Sequence, residues 1–170
     1  DADLNIQAPA LIALPNGELL LAAMRAHAKG SSSMCLFRSA DQGRTWREAG
    51  MIWSRSAGQW LQGGTASIVR LASGRLVLPF HGGKGEQGTQ HNTAGCYVSD
   101  DAGRTWRRTP AVIDLPMRGA MEASVAELRD GRLLMSLRTQ LGTTMLCESR
   151  DRAETWLLPV SASSRPCSRS

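Results

Sequence analysis

The stretches SADQGRTW (39–46), SDDAGRTW (99–106) and SRDRAETW (149–156) spell one octapeptide three times within 170 residues. Self-similarity of this kind signals a repeat architecture. The octapeptide has the chemistry of a turn. Asp41 and Asp101 can accept hydrogen bonds from backbone N–H groups, and Gly43 and Gly103 supply a positive φ. Trp46 and Trp106 then offer apolar area to plug between neighbouring sheets, worth ~2 kcal/mol or more each. In the third copy Ala153 stands where the others have glycine. Alanine at positive φ costs roughly 1 kcal/mol, so this turn is expected to be distorted.

A second element recurs, as LIALPNGELLLAAMR (11–25), IVRLASGRLVLPFH (68–81) and VAELRDGRLLMSLR (125–138). Each reads as an apolar strand, a two-residue turn ending in Gly, and another apolar strand. Asn16-Gly17 and Asp130-Gly131 are strong hairpin turns, and Ser73-Gly74 is a weaker one. The three glycines, at 17, 74 and 131, keep a constant period of 57 residues. A third strand follows each hairpin (MCLFRS 34–39, AGCYVS 94–99, TMLCES 144–149), then the octapeptide, then a short fourth strand.

Four antiparallel strands per unit make the blade of a β-propeller. Capped stretches of helical period are absent, so the chain is read as all-β. The units fall at about 4–60, 61–115 and 116–160, and SASSRPCSRS (161–170) is an irregular tail. Propellers close with roughly four to eight blades. Three leave two sheet edges and two apolar flanks open. The chain is therefore expected to hold about three blades of a larger propeller, as a piece of a longer protein. The alternative is that two copies associate through the open blade edges to complete a ring.

Composition excludes several classes. Hydrophobic residues make up 42% and charged residues 21%, ordinary for a globular chain. No apolar run approaches the roughly 18 residues of a membrane span. The chain opens Asp1-Ala2-Asp3 with no visible signal peptide, which leaves its compartment open. The net charge of +5 comes mostly from scattered arginines, with Lys29 and Lys84 the only lysines. No basic stripe with interleaved aromatics speaks for nucleic acid. Cys35, Cys96, Cys147 and Cys167 lack zinc-ligand spacing and read as small apolar fillers, with a disulfide open but not implied. No metal or organic cofactor is expected.

Aligning the hairpins on their glycines singles out one pair. Glu122 lies nine residues before Gly131 and Arg138 seven after it, so the two should face each other across the open end of the hairpin. The matching pairs are Thr65 and His81 in the second unit and Ala8 and Met24 in the first. That end of the hairpin faces the mouth of the central funnel. Glu122–Arg138 is therefore either a site or a plain cross-strand ion pair.

MEASVAELRDGRLLMSLRTQLG (121–142), with its Glu sixteen residues before its Arg, resembles a segment of the sialidase superfamily. The likeness extends over about 4–156, including GRLVLPFHGG (74–83), and the octapeptide is similar to the superfamily's Asp-box (BNR) repeat. The resemblance implies a six-bladed propeller with the Asp-boxes on its periphery. It implies that Glu122 is the catalytic partner of a tyrosine nucleophile and Arg138 one of three arginines gripping a sialic-acid carboxylate. A neutral tyrosine suits a substrate whose own carboxylate would repel an anionic nucleophile. An Asp on a mobile loop would protonate the leaving oxygen.

Other family positions are unmatched. Gln7 in Ile6-Gln7-Ala8-Pro9 stands where the first triad Arg is expected, no Asp or Glu lies between Glu18 and Asp41, and Tyr97 is the sole tyrosine. Residues 1–50 then read as a second blade, with the remaining groups elsewhere, or the protein is a non-sialidase relative.

His81 can hydrogen-bond a sugar hydroxyl or be a solvated edge histidine. Arg25, beside Met24 at the open end of the first hairpin, can meet an anion or end a strand. Arg118 is a weaker candidate. His91 lies in the polar loop 82–92. Trp53 and Trp60 can stack on a sugar or pack in the core. The expected partner is a glycan or acidic sugar. The readings are a sialidase-like glycosidase, a non-catalytic glycan- or protein-binding propeller, and a relative acting on another acidic sugar.

Overall fold

The computed structural model describes residues 5–27, 30–54, 59–63, 68–84 and 90–164. Lys29, Thr65 and Cys167, the remainder of the Ser/Arg/Gly stretch between Trp53 and Trp60, part of the loop 82–92 and the end of the tail lie outside them.

Three antiparallel sheets follow one another along the chain. The first runs in the order β1 (Asn5–Ala13), β2 (Leu19–Ala26), β3 (Ser32–Ser39), β4 (Arg47–Trp53). The third repeats this as β11 (Met121–Glu127), β12 (Leu133–Arg138), β13 (Met145–Ser149), β14 (Val160–Ser161). In the second sheet the central strands are β7 (Leu76–Lys84) and β8 (Thr93–Ser99). Its innermost strand is broken into β5 (Gln59–Gly63) and β6 (Val69–Arg70), both pairing with β7. Its outermost is broken into β9 (Arg107–Arg108) and β10 (Ile113–Asp114), both pairing with β8. These are four-stranded propeller blades, and the chain is a partial propeller. Among the described residues no helix is long and apolar enough to cross a membrane.

The inner hairpins close on three-residue loops and not on the expected two-residue turns. Gly17 N donates to Leu14 O at 2.9 Å and Leu14 N to Glu18 O at 2.8 Å. The same bonds recur at Leu71, Gly74 and Arg75 and at Leu128, Gly131 and Arg132. This is a type I turn followed by a left-handed residue, which the periodic glycine supplies.

The octapeptides are built alike. Ser39 Oγ accepts Gly43 N at 2.8 Å and donates to Asp41 Oδ1 at 2.7 Å, while Asp41 accepts Thr45 N at 2.9 Å and Thr45 Oγ1 at 2.6 Å. These bonds hold the Asp41 carboxyl down at about 2, Thr45 contributing most. The third copy departs from expectation, since its turn is not distorted. Ala153 takes φ 75°, its N–H reaches Ser149 Oγ at 3.0 Å, and Thr155 N reaches Asp151 at 2.9 Å. Its methyl is wholly buried in the apolar cluster between the second and third sheets, and that packing accommodates the unfavourable φ.

Two apolar clusters weld the sheets. One joins the first and second sheets around Leu20, Met24, Leu36, Leu78 and Phe80, and the other joins the second and third around Val77, Val98, Met135 and Leu137. Fully burying each such side chain is worth about 1.5–3 kcal/mol. Trp106 packs against the first cluster as expected of a plug, and Trp156 packs against the second. Trp46 does not: it is 39% exposed, because no described sheet covers its side of the first blade. Cys35, Cys96 and Cys147 are buried and form no disulfide, and Cys96 and Cys147 lie in the second cluster.

Arginines clasp each blade to the next. Arg38 Nη2 donates to Ala102 O at 2.5 Å, supported by Glu18 Oε2 at 2.9 Å from Nη1. Arg75 grips Asp100 through Nε and Nη2 at 2.7 and 2.9 Å, and its Nη1 reaches Arg152 O at 3.1 Å and Glu154 Oε1 at 2.7 Å. Ala102 and Arg152 hold the same place in successive octapeptides. The guanidinium holds the Asp100 carboxyl below its usual range, and with Arg107 does the same to Glu154. Such depressed carboxylates add stability above their unfolded pKa and lose it as pH falls through the folded one. Arg75→Met should cost about 2 kcal/mol in urea denaturation at neutral pH, discounted from the buried-pair range because Asp100 is largely exposed. The difference should shrink below about pH 4, where the carboxylates protonate.

Candidate active site

Glu122 and Arg138 stand at the open end of the β11–β12 hairpin. Symmetric counting pairs them directly, but the observed register sets Met121 opposite Arg138 and Ser124 opposite Ser136. Glu122 and Ala123 together oppose one residue, a β-bulge, and Glu122 takes φ 44°. The two side chains meet nonetheless: Arg138 Nη1 donates to Glu122 Oε1 at 2.5 Å. They are 58% and 39% exposed, so the pair adds only about 0–1 kcal/mol of stability. The first blade carries the same bulge, between Gln7–Met24 and Ala10–Ala22, with Ala8 at φ 47°.

His81 sits on β7, opposite Gln62 on β5 and Ala94 on β8. It is buried, not a solvated edge residue. Burial pushes its pKa down to about 4; the Glu122 carboxylate opposes the shift, and the Arg138 and Arg118 guanidinium groups reinforce it. The imidazole is therefore neutral at ordinary pH.

Two glycines allow the backbone to crowd in around it. A Cβ at Gly83 would lie 1.8 Å from His91 O, and one at Gly119 would lie 1.8 Å from Asn92 O. The second approach is a short parallel bridge between Asn92 and Gly119. Asn92 N donates to Arg118 O at 2.9 Å and Ala120 N to Asn92 O at 3.0 Å. Asn92 Nδ2 donates to Gln90 O at 3.1 Å and Arg118 O at 3.3 Å.

This brings Trp60, His81, Gln90, Asn92 and Arg118 onto one cleft of about 170 Å³ with Glu122 and Arg138. His81 Nδ1, Gln90 Oε1, Asn92 Oδ1 and Arg118 Nε are buried there without a hydrogen-bond partner among the described residues. A buried polar atom left unpaired costs about 1–3 kcal/mol, so a cluster of them is characteristic of a site that binds something polar.

Of the residues singled out in the sequence, Glu122, Arg138 and His81 meet on this cleft; Gln90 and Asn92, not singled out there, reach it through contact with a segment almost thirty residues on. The His81-Gly82-Gly83 run was the available signal, since adjacent glycines beside a histidine mark close backbone approach. Arg25 lies on β2 opposite Ile6 and Ser33 and is not on the cleft wall. His91 turns away, with Nδ1 2.7 Å from Met117 O and Nε2 2.6 Å from Asp114 Oδ1. Tyr97 is core, its ring centroid 5.1 Å from both Trp53 and Phe80, and burial raises its pKa. Trp53 is buried with it, and Trp60, equally buried in that core, borders the cleft. No described His, Cys, Asp or Glu cluster is arranged to hold a metal ion.

A histidine with a lowered folded pKa makes stability fall as pH drops, because the unfolded chain takes up the proton first. The His81 ring resonances should stay at their neutral positions down to about pH 5 in an NMR titration. The stability contribution of His81 should be lost between about pH 6.5 and its folded pKa of about 4.

The fold recurs in solved structures. The Hadza microbial sialidase Hz136 is similar at 23% identity and a TM-score of 0.74, over 92% of this chain and 34% of that one. The Ruminococcus gnavus intramolecular trans-sialidase is similar at 25% identity and 0.63, over 79% and 27%. The Penicillium chrysogenum alpha-L-arabinanase is similar at 18% identity and 0.70, over 95% and 50%. The matched part is thus half or less of each of these structures. No curated protein matches the sequence. The BNR repeat-like domain matches residues 1–170, and the chain belongs to that family.

Proposed function

We propose that this chain forms part of the active face of a sialidase-like glycoside hydrolase that removes sialic acid or a related acidic sugar from glycans. The observation that carries the reading is the Glu122–Arg138 contact at the rim of the third blade, on the wall of a cleft lined with unpaired polar groups. Arg138 is anchored through Nη1 alone among the described residues and is 58% exposed, so other guanidinium edges remain for an incoming carboxylate. Glu122 offsets the charge of Arg138 and is the cleft's one carboxylate among the lining residues. In hydrolysis it would accept a proton from the attacking group. A buried Tyr97 is not that group, so the nucleophile and the acid that protonates the leaving oxygen belong to other blades of the ring.

The same burial of Tyr97 favours a second reading, a propeller that binds the acidic glycan without cleaving it. Fluorophore release from an aryl sialoside by the full-length protein separates the two. Hydrolysis predicts release by the wild type and a loss of about a hundredfold or more in kcat/KM for Glu122→Gln and Arg138→Ala, roughly 2.7 kcal/mol in the barrier. The Glu122→Gln variant should keep its stability to within about 1 kcal/mol, since the pair is half-exposed. Retained turnover in both variants overturns the site; binding without release selects the second reading.

A further inference from the structure

The cleft has two chemically different ends. At the Glu122–Arg138 end the groups are charged and solvent-facing. At the other end Gln90, Asn92 and His81 are 6%, 1% and 7% exposed. Asn92 is fixed there by four hydrogen bonds: its N–H, its carbonyl and both donations from Nδ2 are engaged. That network orients the amide and leaves Oδ1 as its single unpaired group, an acceptor that cannot turn away. Gln90 Oε1 and His81 Nδ1, on residues of the same cleft wall, are unpaired too, and Arg118 Nε is an unpaired donor.

At this end two amide oxygens accept, Arg118 Nε donates, and Nδ1 of the uncharged histidine does either according to its tautomer. The complementary group is neutral and presents O–H or N–H donors. Sugar hydroxyls fit, since each both donates and accepts. An anion fits badly against the Gln90 and Asn92 amide oxygens, which would repel it.

Resting on the function proposed above, we infer that Gln90, Asn92, His81 and Arg118 are specificity-determining residues that bind the hydroxyl-bearing face of the acidic sugar, whose carboxylate Arg138 meets. They select a polyhydroxylated acid over a simple carboxylate.

Gln90→Met tests this in the full-length protein, because it removes the unpaired oxygen at nearly constant volume and leaves the backbone carbonyl that Asn92 uses. Affinity is read by calorimetry for N-acetylneuraminic acid and for cyclohexanecarboxylate, which shares the anion but has no hydroxyls. The thermal midpoint is measured alongside. Gln90→Met should raise the midpoint yet weaken N-acetylneuraminic acid about tenfold, and leave cyclohexanecarboxylate unchanged. Arg138→Ala should weaken both. A raised midpoint with unaltered sugar affinity, while Arg138→Ala still weakens binding, overturns the inference and leaves the proposed function standing. Failure of the wild type to bind N-acetylneuraminic acid overturns both.

Discussion

Every sheet in this molecule must have something against each of its two faces, and that requirement orders the rest. The second blade satisfies it. From Leu76 to Gly82 and from Ala94 to Ser99 its central strands are buried without interruption, on both sides of the pleat. In the third blade, β12 alternates buried and partly exposed residues, as a sheet does with one covered face. Ile6, Leu11 and Met51 are more than half exposed on the first blade, as Leu157 and Leu158 are on the third. Among the described residues the central strands of the middle blade are the most completely buried, and His81 belongs to them.

Stacking is secured at the octapeptide corners by a contact that does not follow the repeat. The carbonyls of Ala102 and Arg152 occupy one structural position, yet the first is gripped from β3 by Arg38 and the second from the hairpin by Arg75. Each guanidinium is held by carboxylates of its own blade, Glu18 or Asp100, so that the charge arrives oriented. The acceptor is a backbone atom of a left-handed residue and is present in every copy; the donor can come from any neighbouring position long enough to reach. This is why the octapeptide marks the fold without marking the chemistry.

Local chemistry was legible in the sequence wherever a side chain and its backbone partner are near neighbours. The hairpin glycines and the Ser–Asp–Thr turns fall into this class. Ala153 was misread because its cost was counted and its burial was not; the neighbouring sheet supplies the compensation. Trp46 was misread for the converse reason, as its expected contact depends on a sheet beyond the described blades. Gln90 and Asn92 did not stand out because their place on the cleft arises where two blade connections meet across Gly119, and no motif records that meeting.

The strained backbone under Glu122 has a structural origin before it has a functional one. A non-glycine residue at positive φ costs on the order of 1–2 kcal/mol and invites a functional explanation. Ala8, in the equivalent place of the first blade, adopts nearly the same angle and bears no chemistry. The bulge thus recurs at the same place of the innermost strand in the first and third blades, whatever the side chain. What the fold provides is a position repeated in the first and third blades and indifferent to the side chain it carries. Alanine leaves that position silent; glutamate, with an arginine across the strand, turns it into a charged group fixed at the mouth of the cleft.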